Sequence, residues 1–212
     1  MRHVMLDNET LGTSPDAPVI QIGAVWFDYQ GKLGPELKLT IDMTSACTKR
    51  RVDGDTVAFW MKQDDAARKS VLDGQLKTKD ALLLLTKFIT GRVSGDPVAR
   101  FDKLSREYGM PDGYEPPGTN PRLWSVGLND AAQLESLYRL YRLPCPWKFY
   151  APRDCRTIEE ISPISREDCL TPSDGTHHDA LSDAKYQVAW LTQMMAALGI
   201  VNHGGPAEDD DL

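Results

Sequence analysis

Val4-Met5-Leu6-Asp7-Asn8-Glu9-Thr10 sets two carboxylates, those of Asp7 and Glu9, directly behind a short apolar run. The run reads as a first strand over residues 3–7, and the alternate acids leaving it meet in one pocket if the chain bends there. Two carboxylates about 5 Å apart repel by roughly 3 kcal/mol at an effective dielectric near 20. Further along, Asp130 follows another apolar run, and His178 and Asp183 flank Asp179-Ala180-Leu181-Ser182 near the end. A site gathering three or four such acids is sensible only around a hard divalent cation, which prefers oxygen ligands. The pattern points to a metal site for phosphate chemistry.

Working outward, the 212 residues fit one domain over residues 1–200 and an acidic tail at 201–212. With 41% hydrophobic and 26% charged residues, the chain can bury a core and is expected to be globular. Cys47, Cys145, Cys155 and Cys169 show no C-x-x-C pair, which argues against a zinc site or a disulfide framework. The expectation is reduced thiols in a cytoplasmic protein, with no signal peptide and no membrane span. Of the net charge of −7, the tail residues Glu208-Asp209-Asp210-Asp211 carry −4, which leaves −3 for the body. Cations bound by the site acids would bring the rest near neutrality, a balance compatible with a nucleic-acid partner without indicating one.

Residues 19–27 (VIQIGAVWF) read as a second strand, followed by a turn at Asp28-Tyr29-Gln30-Gly31 and a returning strand at 33–41. Short charged helices are expected at 56–62 and 65–72, and an amphipathic helix N-capped by Thr78 that ends before Gly91. Across residues 92–121 the periodicity fails, interrupted by Pro97, Pro111, Pro116, Pro117 and Pro121, which marks a long loop or insertion with room for a short helix at 101–108. A buried strand at 122–127, a helix at 130–141, a short strand at 148–150, a helix from Thr157 and a last helix at 179–198 complete the body. Three meandering strands and two parallel ones joined by helical crossovers give an α/β fold with helices on both faces of a mixed five-stranded sheet. In such sheets, sites gather at the carboxyl ends of central strands, where Asp7 and Asp130 both fall.

Asp7-Asn8-Glu9-Thr10, Asn129-Asp130 and His178-x4-Asp183, in that order, resemble the three motifs of the DEDDh exonucleases, a branch of the ribonuclease-H-like fold. His177 does not fit the third motif, because the residue five positions later is Ser182. The stretch Thr13-Ser14-Pro15-Asp16-Ala17-Pro18-Val19-Ile20-Gln21-Ile22-Gly23-Ala24-Val25, Thr56-Val57-Ala58-Phe59-Trp60 and Arg153-Asp154-Cys155-Arg156-Thr157 are similar to the exonuclease-VIII-like and phage exonuclease group.

The resemblance implies a 3′→5′ exonuclease that releases nucleoside 5′-monophosphates from single-stranded DNA, in the cytoplasm of a bacterial or phage-infected cell. It also implies two Mg²⁺ ions, or Mn²⁺ as substitute. Asp7 bridges them, Glu9 and Asp183 complete the nucleophile-side ion, and Asp130 holds the second. His178 serves as general base, since an imidazole of reference pKa about 6.5 accepts a proton near neutral pH. Thr10 and Leu11 would meet the terminal nucleotide, and Asn129, beside Asp130, would be a further substrate-binding residue. Phe59 and Trp60 read either as a base-stacking platform or as core packing, and Arg153 and Arg156 either as phosphate ligands or as structural ion-pair partners. Two rivals stand beside this reading: an exoribonuclease with the same mechanism, and a catalytically silent nucleic-acid-binding module.

Overall fold

The computed structural model describes residues 1–92, 98–171 and 178–200. The acidic tail and His177 lie outside the described residues. The sheet forms from β1 (His3–Thr10), β2 (Val19–Phe27), β3 (Leu33–Thr40), β4 (Arg122–Ser125) and β5 (Pro152–Asp154), in the order β3-β2-β1-β4-β5. β1, β2 and β3 pair antiparallel, while β4 and β5 run parallel to β1. This is the expected mixed sheet of a three-strand meander and two parallel strands.

Between β3 and β4 lie α1 (Met43–Cys47), α2 (Gly54–Lys62), α3 (Asp65–Leu72), α4 (Thr78–Thr90) and α5 (Val98–Glu107). α6 (Asn129–Leu140) crosses from β4 to β5, α7 (Cys155–Ile161) follows β5, and α8 (Ala180–Ala197) closes the fold. The two-residue period of β1 and β2 sorts their side chains. Val4, Leu6, Ile22 and Trp26 enter a core with Leu82, Leu85 and Phe88 of α4 and Leu134 and Leu137 of α6. Met5, Val25 and Phe27 enter a second core with Val188, Leu191 and Met194 of α8. Both faces of β2 are therefore covered, which is why its sequence reads as an unbroken apolar run.

Several expectations shift. β1 continues through Thr10, so Asp7 and Glu9 share a face by strand period alone and no bend is needed. β5 lies at Pro152–Asp154, after the expected 148–150, where Ala151 donates instead to the Lys148 carbonyl (2.9 Å) in a turn. At the sheet edge a proline costs no ladder bond, so aromatic β-propensity at Phe149 and Tyr150 misplaces the strand. α1 was not expected; Asp42 caps it by accepting from the Ser45 amide (2.9 Å). Thr78 is the first helical residue of α4 rather than its cap, and its amide donates to Ser45 Oγ (2.9 Å). The described residues 98–121 contain α5, and their later part meets the end of the sheet away from Asp7. Met1 donates to the Pro117 carbonyl (3.3 Å), Tyr114 Oη to that of Phe88 (3.1 Å), and Arg106 pairs with Asp112 (2.6 Å).

Candidate active site

The fold places four separate segments around the carboxyl end of β1. Asp7 and Glu9 come from the α8-facing side of the strand, with Asp7 half-buried and Glu9 9% exposed. Asn8, between them, points the other way. Its amide N–H donates to Asp130 Oδ1 (3.1 Å) and its Nδ2 to the Asp130 carbonyl (3.0 Å), fixing the first turn of α6 against β1. Gln187, one turn beyond Asp183 on α8, donates from Nε2 to Asp7 Oδ1 (2.7 Å). The four acids thus come from three elements, β1, α6 and α8, that two amide side chains tie together.

The start of α8 is seated by β2. Gly23 sits opposite Asp7, and a Cβ there would come within 2.2 Å of the Ala180 backbone. Only glycine permits that approach. Gln21 Oε1 accepts from the Ala180 amide (2.8 Å), and its Nε2 donates to the Ser70 carbonyl (2.8 Å). Asp179 caps α8 by accepting from Ser182 (3.1 Å) and pairs with Lys38. His178 therefore precedes the helix rather than lying on it, in a left-handed conformation (φ 62°). Its ring is flanked edge-on by Phe59 (centroids 5.1 Å) and Trp60 (6.1 Å). Glu9, His178 and Asp183 each bring a ligand-type atom within 4.8 Å of the other two.

Electrostatics follow from this crowding. Burial, then Asp130 and Glu9, push the Asp7 carboxyl well above the usual range, opposed by the Gln187 hydrogen bond. Burial, then Asp183 and Asp130, raise Glu9 to about 8. Burial raises Asp130 to about 7, against the Asn8 hydrogen bond and the charge of Arg156. Asn8 Oδ1 and Gln187 Oε1 are also buried, with no hydrogen-bond partner among the described residues. Buried oxygen acceptors in this number call for a cation, so the donor set fits a hard divalent metal.

Of the expected substrate contacts, Thr10 hydrogen-bonds the Gly12 carbonyl through Oγ1 (2.8 Å), and Asn129 is exposed at the first turn of α6. Leu11 lines an apolar cavity of about 300 Å³ with Val57, Trp60, Met61 and Val71. Trp60 is buried and donates from Nε1 to the Thr10 carbonyl (2.9 Å), whereas Phe59 is 40% exposed. Asn8, Gln187 and Gly23 were missed. The signal for Gln187 was a polar residue four positions after Asp183, on a helix otherwise buried by apolar side chains.

Residues 2–195 match the profile of the Rv2179c-like domain, described as a 3′-5′ exoribonuclease domain. The chain belongs to this family. It is a 3′-5′ exonuclease on a ribonuclease-H-like fold. Among solved structures, it is similar to Exonuclease X in complex with 5′ overhanging duplex DNA, with a TM-score of 0.50, 13% identity and 93% of each chain covered. It is similar also to the nuclease domain of 3′hExo, a DEDDh family member bound to rAMP, with a TM-score of 0.50, 15% identity and 94% of each chain covered. No curated protein sequence matches the chain. Among the described residues, no helix is long and apolar enough to cross a membrane.

Proposed function

We propose that this exonuclease removes nucleoside 5′-monophosphates from the 3′ end of a single strand by metal-dependent phosphodiester hydrolysis. Asp7, Glu9, Asp130, His178 and Asp183 would be its catalytic residues. The observation carrying this reading is the convergence of Glu9, His178 and Asp183 within 4.8 Å, beside a half-buried Asp7 that feels Asp130 electrostatically. Asp7, Glu9 and Asp183 are suited to hold one divalent ion, and Asp7 with Asp130 a second. Two Mg²⁺ ions, or Mn²⁺ in their place, supply charge stabilisation of the attacking and leaving oxygens.

His178 stands on the Glu9–Asp183 side and takes a proton from the attacking water at an imidazole nitrogen. Phe59 and Trp60 flank the ring edge-on and hold it against rotation. With its N–H committed to Thr10 and its edge to His178, Trp60 acts by positioning. Phe59 keeps an exposed face for a base, a contact worth roughly 1–3 kcal/mol. Thr10, Leu11 and Asn129 complete the berth for the terminal nucleotide.

The family's description supports RNA as the first substrate, and the motif likeness to exonuclease-VIII-like and phage enzymes supports single-stranded DNA as the second. Only contacts to the 2′-hydroxyl separate the two. Matched RNA and DNA oligonucleotides, digested with Mg²⁺ and with Mn²⁺, test this directly. A tenfold preference for RNA is the expected result, a reversed preference assigns DNA, and digestion of neither leaves a binding module.

A further inference from the structure

The carboxylate cluster suits cations, yet the substrate is a polyanion, and backbone phosphates near Asp130 meet a like charge. Arg156 is placed to offset it. Asp154 Oδ1 accepts from both the Gly127 amide (2.8 Å) and the Arg156 amide (2.9 Å), so the start of α7 is pinned to the loop that leads into Asp130. The Arg156 guanidinium lies over Gly127, with Nη1 3.8 Å from where a Cβ would stand. The side chain is exposed, and its charge is felt at Asp130. Among the described residues its guanidinium has no hydrogen bond and no ion pair. The neighbouring arginines are committed: Arg153 Nη1 donates to the carbonyls of Tyr150 (2.5 Å) and Pro152 (2.9 Å), and Arg166 pairs with Glu159 (2.5 Å).

We propose that Arg156 binds the backbone phosphate one linkage upstream of the bond being cut, on the strand that remains after each cleavage. This rests on the 3′-end reading above. In an in-line displacement the attacking and leaving oxygens lie on opposite sides of phosphorus. His178 gathers with Glu9 and Asp183, which marks the attacking side, and Asp130 is not in that trio. Asp130 and Arg156 then border the leaving oxygen, which belongs to the nucleotide carrying that upstream phosphate. A guanidinium fork matches two phosphate oxygens, and a lysine does so only as a point charge.

The test is a double-mutant cycle between Arg156→Gln and an oligonucleotide carrying one uncharged methylphosphonate at that upstream linkage. Each change alone is expected to lower kcat/KM about tenfold, mainly through KM. Combined, they should lower it little further, and Arg156→Lys should recover part of the loss on the natural substrate. Additive losses, or an undiminished response of Arg156→Gln to the methylphosphonate, would overturn the assignment. If the unmodified enzyme shortens no strand from its 3′ end, it is the exonuclease proposal that fails, and this one with it.

Discussion

Replacing Asp7 by Asn keeps the side-chain shape and the Gln187 contact while deleting a charge that burial and neighbouring acids disfavour. The metal-free variant should melt a few degrees higher than the wild type, at about 2–4 °C per kcal/mol for a chain of this size. Its turnover should fall below a tenth of wild type; a smaller loss, under about 1.4 kcal/mol, would put the site elsewhere. His178→Ala should cost roughly 10²–10⁴ in rate, as for a lost general base. The acids and His178 were legible in the sequence because their chemistry resides in residue type and short spacing. Asn8 and Gln187 were not, because an amide acquires its role from the tertiary partner it meets, here Asp130 and Asp7.

Elements set these side chains by close approach. α8 can deliver His178 and Asp183 only because Gly23 leaves β2 bare beneath Ala180. Gly23→Ala should therefore lower both the melting temperature and activity, with activity depressed even well below the melting transition. Full activity in a stably folded Gly23→Ala protein would separate the seating of α8 from catalysis. Trp60→Phe removes the hydrogen bond to the Thr10 carbonyl but keeps an aromatic edge near His178. It should slow chemistry more than it weakens binding, measured as a fall in kcat exceeding any rise in KM. β1, β2 and α8 were readable from periodicity, since each buries an extended apolar surface. β5 and α1 were not, because an edge strand holding a proline and a helix of five residues depend on neighbours more than on pattern.

Across the whole molecule, the carboxyl cluster couples folding, protons and metal. Unfolded carboxyls ionise near pH 4, whereas Glu9 holds its proton to about 8 and Asp130 to about 7. Between those limits the folded state binds more protons, so in chelator stability should fall as pH rises from about 4.5 to 8. Saturating Mg²⁺ should raise the melting temperature and shrink that pH dependence, because a ligand of the native state stabilises it by mass action. Melts in chelator at pH 5 and pH 8 that coincide would contradict the coupling. The most direct test follows a 5′-labelled single strand during digestion, with Mg²⁺ and with excess chelator. A ladder that shortens from the 3′ end only with metal is expected, with release of nucleoside 5′-monophosphate and arrest by a 3′-terminal phosphate. Shortening in chelator, or rapid cutting of a circular strand that offers no end, would contradict it.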